Sequence, residues 1–183
     1  EPEPEPPRFN YTITFDHNGT NQAFHIAEVE MYNSDNKISS SLFTALGYSY
    51  DNNDSETLHP NGMGGSPYSN ILDEGLNTFC HTFEATGPSN VSNYDRTKQR
   101  VKVTGTSIEI SKIRVYNRDQ SAYRLTGKSL TVKKDNVNQN INGVVKYVFT
   151  GSETGFNQTD SRPYMEFTIT EHEPEPEPEP EPE

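Results

Sequence analysis

Apolar and polar residues alternate in short runs along this chain. Tyr11–Phe15 reads YTITF and Phe24–Tyr32 reads FHIAEVEMY. A period of two places alternate side chains on opposite faces of an extended segment, so both runs predict strands. Between them lies an Asn18-Gly19 turn signal, and the two runs are expected to pair as a β-hairpin. Arg100–Val103, Ile108–Tyr116, Ser129–Lys133, Val144–Thr150 and Tyr164–Thr170 give five more strands of the same kind. Residues 51–70 are mostly Gly, Asn, Asp, Ser and Pro and are expected to form loop. No dozen-residue stretch keeps apolar positions at helical spacing. Seven or eight short strands with long polar loops predict an all-β domain, an antiparallel β-sandwich of the jelly-roll type. Its expected core is Ile13, Phe15, Ile26, Val29, Phe79, Val103, Ile110, Ile113, Val115, Leu125, Leu130, Val132, Val145, Phe149, Phe167 and Ile169.

The two ends break this pattern. Residues 1–7 are EPEPEPP and residues 173–183 are EPEPEPEPEPE. Each proline fixes φ and lacks an N–H, and each preceding residue is pushed toward polyproline II, so both ends are expected to be extended linkers around a domain at 8–172. The longer run should reach roughly 30–35 Å, at about 3.1 Å per residue. A solvated spacer is the simplest role; loose cation binding or glycan attachment is the alternative. The repeated ends suggest one unit of a longer Glu-Pro-linked chain, and no secretory leader is visible in the segment. The ends hold nine of the 27 acidic residues and none of the 15 basic ones, so the body carries a net charge of only -3. Its basic runs are short, which argues against nucleic acid as a partner. No apolar run approaches the ~20 residues of a membrane-spanning helix. The one cysteine, Cys80, allows no internal disulfide.

Three segments carry a resemblance. Ile26–Tyr32 (IAEVEMY), Ile71–Thr82 (ILDEGLNTFCHT) and Ile110–Leu125 (ISKIRVYNRDQSAYRL) resemble signature segments of discoidin-type domains, also called coagulation-factor C-type or galactose-binding-like domains. The third is most similar to the F-type (fucose-binding) lectins. The resemblance implies a jelly roll with a ligand site at one end and a structural Ca²⁺. Calcium takes six to eight oxygens from carboxylates, hydroxyls and carbonyls. The turn Asp73-Glu74-Gly75-Leu76-Asn77-Thr78 offers the Asp73 carboxylate, a carbonyl near Gly75 and the Thr78 hydroxyl. The family pattern adds the Asn70 carbonyl and the Glu28 carboxylate. Without the family, Glu28 and Glu30 read equally as solvent-facing residues of a half-exposed strand. The lectin pattern also implies a sugar site at His81, Arg118 and Arg124, where guanidinium forks and an imidazole meet vicinal hydroxyls. Tyr123 would be a stacking wall, or else core or rim. The alternative for Arg118 is a loop salt bridge with Asp119.

Five Asn-x-Ser/Thr acceptors, at Asn10, Asn18, Asn53, Asn90 and Asn157, fall in expected turns or strand ends. They favour an extracellular, glycosylated domain. No catalytic motif is visible. Cys80 and His81 are neighbours on one expected strand and point to opposite faces, so they form no dyad there. The chain is therefore expected to be no enzyme. It reads as a Ca²⁺-stabilised carbohydrate- or glycoprotein-binding adhesion module of a tandem surface or fibrous protein. The alternative is an assembly unit that contacts other copies in a filament, sheath or virion surface, with no sugar specificity.

Overall fold

The computed structural model describes residues 4–20, 23, 25–51, 56–59, 62, 66–82, 94–118, 121–156 and 164–172. The described strands are β1 (Phe9–Asp16), β2 (His25–Ile26), β3 (Glu28–Asn33), β4 (Asn36–Lys37), β5 (Phe43–Asp51), β6 (Glu56–His59) and β7 (Cys80–His81). They continue with β8 (Tyr94–Ser107), β9 (Lys112–Tyr116), β10 (Ser129–Lys134), β11 (Val137–Ile141), β12 (Tyr147–Val148) and β13 (Met165–Glu171). Among the described residues helix is confined to short 3-10 turns at Ser40–Leu42, Tyr68–Leu72 and Ala122–Leu125, and no helix is long and apolar enough to cross a membrane.

The architecture is an all-β antiparallel sandwich, made from one sheet folded over on itself. Its strand order is β4-β3-β9-β13-β11-β10-β1-β8-β5-β6. The fold-over occurs at β11. Val137 and Asn138 pair with Lys134 and Lys133 of β10, while Gln139–Ile141 pair with Glu171–Ile169 of β13. One five-residue strand therefore belongs to both layers.

Register then decides what is buried. Ile13 lies opposite Val103 and Val132, and Phe15 opposite Val101 and Leu130. In the other layer Val115 lies between Val29 and Met165, and Ile113 between Met31 and Phe167. Each of these side chains is buried, and the two sets form one core. Phe167 meets Tyr147 and Phe149 edge-on, at centroid distances of 4.9 and 5.8 Å, an arrangement that adds to simple area burial.

Several expectations need correction. The hairpin between Tyr11–Phe15 and Phe24–Tyr32 does not form, because both edges of β1 are occupied by β8 and β10. Phe24–Tyr32 is instead divided into β2 and β3 around Ala27, whose N–H donates to the Tyr116 carbonyl. Residues 51–70 are not all loop: β6 pairs with β5 there. Strand β9 starts at Lys112 rather than Ile108, and only Tyr147–Val148 of Val144–Thr150 is strand. Phe79 and Val145 are half-buried, and the other expected core residues are buried. Of the Glu-Pro ends, residues 4–7 are exposed without strand pairing, while 1–3 and 173–183 lie outside the described residues.

Lys134 marks one pole of the sandwich. Its Nζ lies 4.1 Å from the centroid of the Phe9 ring and 3.0 Å from the Glu171 carboxylate, so both chain ends leave there. Asp16 and His17 lie at the other end of β1. Strand register also carries Glu28, Tyr116 and Met165 to the far ends of their strands.

Phe167→Ala should cost about 3–5 kcal/mol of unfolding free energy, because it removes a buried ring from the layer interface. Urea unfolding followed by circular dichroism measures this. A loss below about 1 kcal/mol would contradict the packing described.

Candidate functional site

At the pole remote from the chain ends, β2 and β7 form a two-residue ladder, His25 with His81 and Ile26 with Cys80. Alternation sends Ile26 and Cys80 into the core, where both are fully buried. Burial pushes the Cys80 thiol up to about 12, so it is a small core residue without nucleophilic character. His25 and His81 lie on the other face, their ring centroids 4.1 Å apart and their planes tilted by 49°. The Phe79 ring meets His25 edge-on at 5.5 Å. The Arg118 guanidinium lies over the opposite side of this group, 3.9 Å from the Phe79 centroid.

The loop that carries both arginines is held by Asn117. This buried side chain donates to the carbonyls of Ala122 and Phe156, while its oxygen accepts from the Arg118 N–H. Ser121 adopts a left-handed conformation, φ 63°, and opens the 3-10 turn that bears Tyr123 and Arg124. Tyr123 is 59% exposed, which makes it rim rather than core. His25 is driven down to about 3 by its burial, then by the charges of His81, Arg118 and Arg124. The imidazole is therefore neutral, and neither ring nitrogen has a hydrogen-bond partner among the described residues. His81 Nδ1 donates to the Thr82 carbonyl, 2.6 Å away, which fixes the proton on that ring nitrogen.

The structure thus brings together His81, Arg118 and Arg124, with Tyr123 at the rim. It adds His25 and Phe79, which sequence reasoning did not place in the site. His25 sat inside an ordinary alternating strand. Its role depends on pairing with a segment far along the chain, for which no local signal exists.

Beside this group lies a cluster of oxygens. The Asp73–Thr78 turn follows the 3-10 turn Tyr68–Leu72 and runs directly into Phe79. Asp73 Oδ1 accepts from the Gly75 N–H at 2.7 Å. Thr78 Oγ1 lies 2.9 and 2.8 Å from the two Asp73 oxygens and 2.7 Å from the Gly75 carbonyl. A hydroxyl has one proton to donate, so at most one of these three contacts is a full hydrogen bond. The others bring oxygen acceptors together without a proton between them. A Cβ on Gly75 would come within 2.7 Å of Asp73 Oδ1 and 3.0 Å of Thr78 Oγ1, so a side chain there would displace the Asp73 carboxylate from this cluster.

Glu28 faces this turn from β3. It is 1% exposed, and neither carboxylate oxygen has a hydrogen-bond partner among the described residues. Burial first, and the Asp73 charge second, raise it to about 8. Lys37 and the Glu74 N–H oppose the shift, the latter without reaching hydrogen-bond geometry. An orphaned buried carboxylate beside crowded carboxylate, hydroxyl and carbonyl oxygens is the donor chemistry of a hard divalent cation. Among the described residues no three His, Cys, Asp or Glu side chains cluster as a metal site, and the set here depends equally on neutral oxygens. Asn70 lies in the adjoining turn, where its side-chain amide donates to the Phe79 carbonyl.

Of the glycan acceptors, Asn10 is exposed, with its amide donating to Asp135 and its oxygen accepting from Thr106. Asn18 is half-buried, and its amide donates to the Gly127 carbonyl. Asn53, Asn90 and Asn157 lie outside the described residues.

Comparison of the chain with protein-family models, curated proteins and solved structures finds no match.

Without metal, Glu28 ties stability to pH. The folded chain holds its proton up to about 8, whereas the ordinary carboxyl releases it near 4.5. Unfolding in that window releases a proton from Glu28. Below about 6.5 unfolding also protonates His25, held near 3 in the folded chain, and the two offset. Stability should therefore fall as pH rises from about 6.5 to 8 and level off above. Urea titrations with chelator present should show this slope in the native chain and lose it in Glu28→Gln. A slope that persists in the variant would remove Glu28 from the account.

Proposed function

We propose that this chain is an extracellular carbohydrate-binding module whose sugar site is the His81, Arg118 and Arg124 cluster and whose structural cation is Ca²⁺. The observation that carries the reading is the convergence of two arginines and a histidine pair around Phe79. These residues come from three separate parts of the chain. Guanidinium and imidazole N–H groups suit the vicinal hydroxyls of a sugar ring. Tyr123, exposed at the rim, supplies a flat apolar face for its C–H surface. The resemblance to discoidin-type domains and F-type lectins supports the same assignment.

Calcium fits the second half of the site. Asp73, Gly75, Thr78 and Glu28 would hold it, with the Asn70 carbonyl as a further donor. Bound there, the ion would neutralise the like charges of Glu28 and Asp73. It would also fix the turn that leads into Phe79 and His81. On this reading the ion positions the sugar-binding residues and does not contact the sugar. The exposed acceptor at Asn10 suits a secreted or surface location. Repetition of weak sites along a tandem chain would raise avidity, and the partners would be glycans or glycoproteins.

A glycan array probed with the intact chain, with calcium and again with chelator, tests the reading. Arg118→Ala and Arg124→Ala should each abolish binding while leaving the melting temperature within a few degrees. Failure of the folded chain to bind any glycan would instead favour an assembly unit whose arginines meet another copy.

Calcium at about 100 times its dissociation constant should stabilise the fold by roughly 2.7 kcal/mol. Asp73→Asn should shrink that increment. A melting temperature unchanged by chelation would remove the ion.

A further inference from the structure

On the outer face of the layer opposite β9 and β13, strands β8, β1 and β10 line a groove of about 470 Å³. Four cations surround it: Arg100, Lys102, Lys133 and Lys146. Two have acidic partners, Arg100 with Asp16 and Lys102 with Glu56. Lys146 donates only to the neutral Asn18 amide oxygen, at 2.6 Å. Lys133 is exposed and has no ion pair among the described residues. The groove is thus cationic in an otherwise acidic chain.

Its floor is polar. Thr12, Thr14 and Thr131 line it half-buried, and none of their hydroxyls makes a hydrogen bond among the described residues, so they stay available to a ligand.

We infer that this groove binds the Glu-Pro run of residues 173–183 from the same chain. Charge is the first argument: the run holds six glutamates and no basic residue. Valence is the second. Polyproline II has three residues per turn, so glutamates at every second residue project in all three directions, and some face the groove whichever way the run lies. Backbone chemistry is the third. A Glu-Pro segment has an N–H only at alternate residues and cannot extend a sheet edge, but a sheet face asks for no ladder. Reach is the fourth. The run leaves β13 at Glu171, which is bonded to Lys134, the residue after Lys133. Eleven residues span roughly 34 Å in polyproline II, against about 20 Å for the six residues of β10.

The experiment uses the full chain and a full-length variant with the six glutamates changed to glutamine, Glu173→Gln through Glu183→Gln. Lysine acylation rates are read by peptide mass spectrometry. In low salt, Lys133 and Lys146 should react roughly threefold more slowly in the native chain than in the variant, the scale that several exposed ion pairs support together. At about 1 M salt, where screening acts over ~3 Å, the two chains should converge. A zero-length carbodiimide should join tail glutamates to Lys133 or Lys146 within single chains of an isotopically light and heavy mixture. Equal rates in low salt would overturn the inference. So would cross-links found only between light and heavy chains, which would make another copy's tail the occupant.

Discussion

The arrangement of this molecule's working end depends on two residue pairs. Ile26 and Cys80 are buried opposite each other, and that commitment fixes the register of β2 against β7. In a ladder of period two, residues next to core positions have no choice of face. His25 and His81 are therefore brought ring against ring on the far side, and Phe79 and the Asp73 turn are held beside them. A slip of one residue would exchange the two sets, burying the imidazoles in the core and exposing the apolar pair. The apolar contact of Ile26 and Cys80 thus sets the geometry of the polar group.

The same ladder explains why the two halves of the candidate site lie side by side. The oxygen cluster of Asp73, Gly75 and Thr78 ends where the ring cluster begins, at Phe79. Its other carboxylate, Glu28, opens β3, two residues after the Ile26 that ends β2. Whatever orders the turn also orders the start of β7. The charges are divided accordingly. Like-charged carboxylates meet on one side of the ladder, and arginines gather around neutral imidazole on the other.

Much of the fold was legible in the alternation. YTITF, SLTVK and YMEFTIT became β1, β10 and β13 because each exposes one face and buries the other. What failed was pairing. The Asn18-Gly19 turn is real, with both residues at positive φ, yet it leads away from β1 instead of back along it. Partners of β1 lie some hundred residues on, and no local rule names them. Strand β5 went unread because FTALGYSYD puts small and polar residues where apolar ones were sought. Gly47 is needed there, since a Cβ would run into the Tyr68 ring. In the site, Glu28, Asp73 and Thr78 were readable through their resemblance to a known pattern. His25 was not, because an imidazole within an alternating strand looks the same whether it meets solvent or another imidazole.

Lys134 touches both Phe9 and Glu171, so the attachment points of the chain lie on one small patch. Tension applied through the two attachments would therefore not shear the strands lengthwise. It would peel β1 and β13 from that pole, one rung at a time, a weak mode of resistance for a β-domain. Seen as a mechanical part, the body is a pendant hung from its cord and not a link within it. Its arginine-bearing end swings farthest from the line of pull.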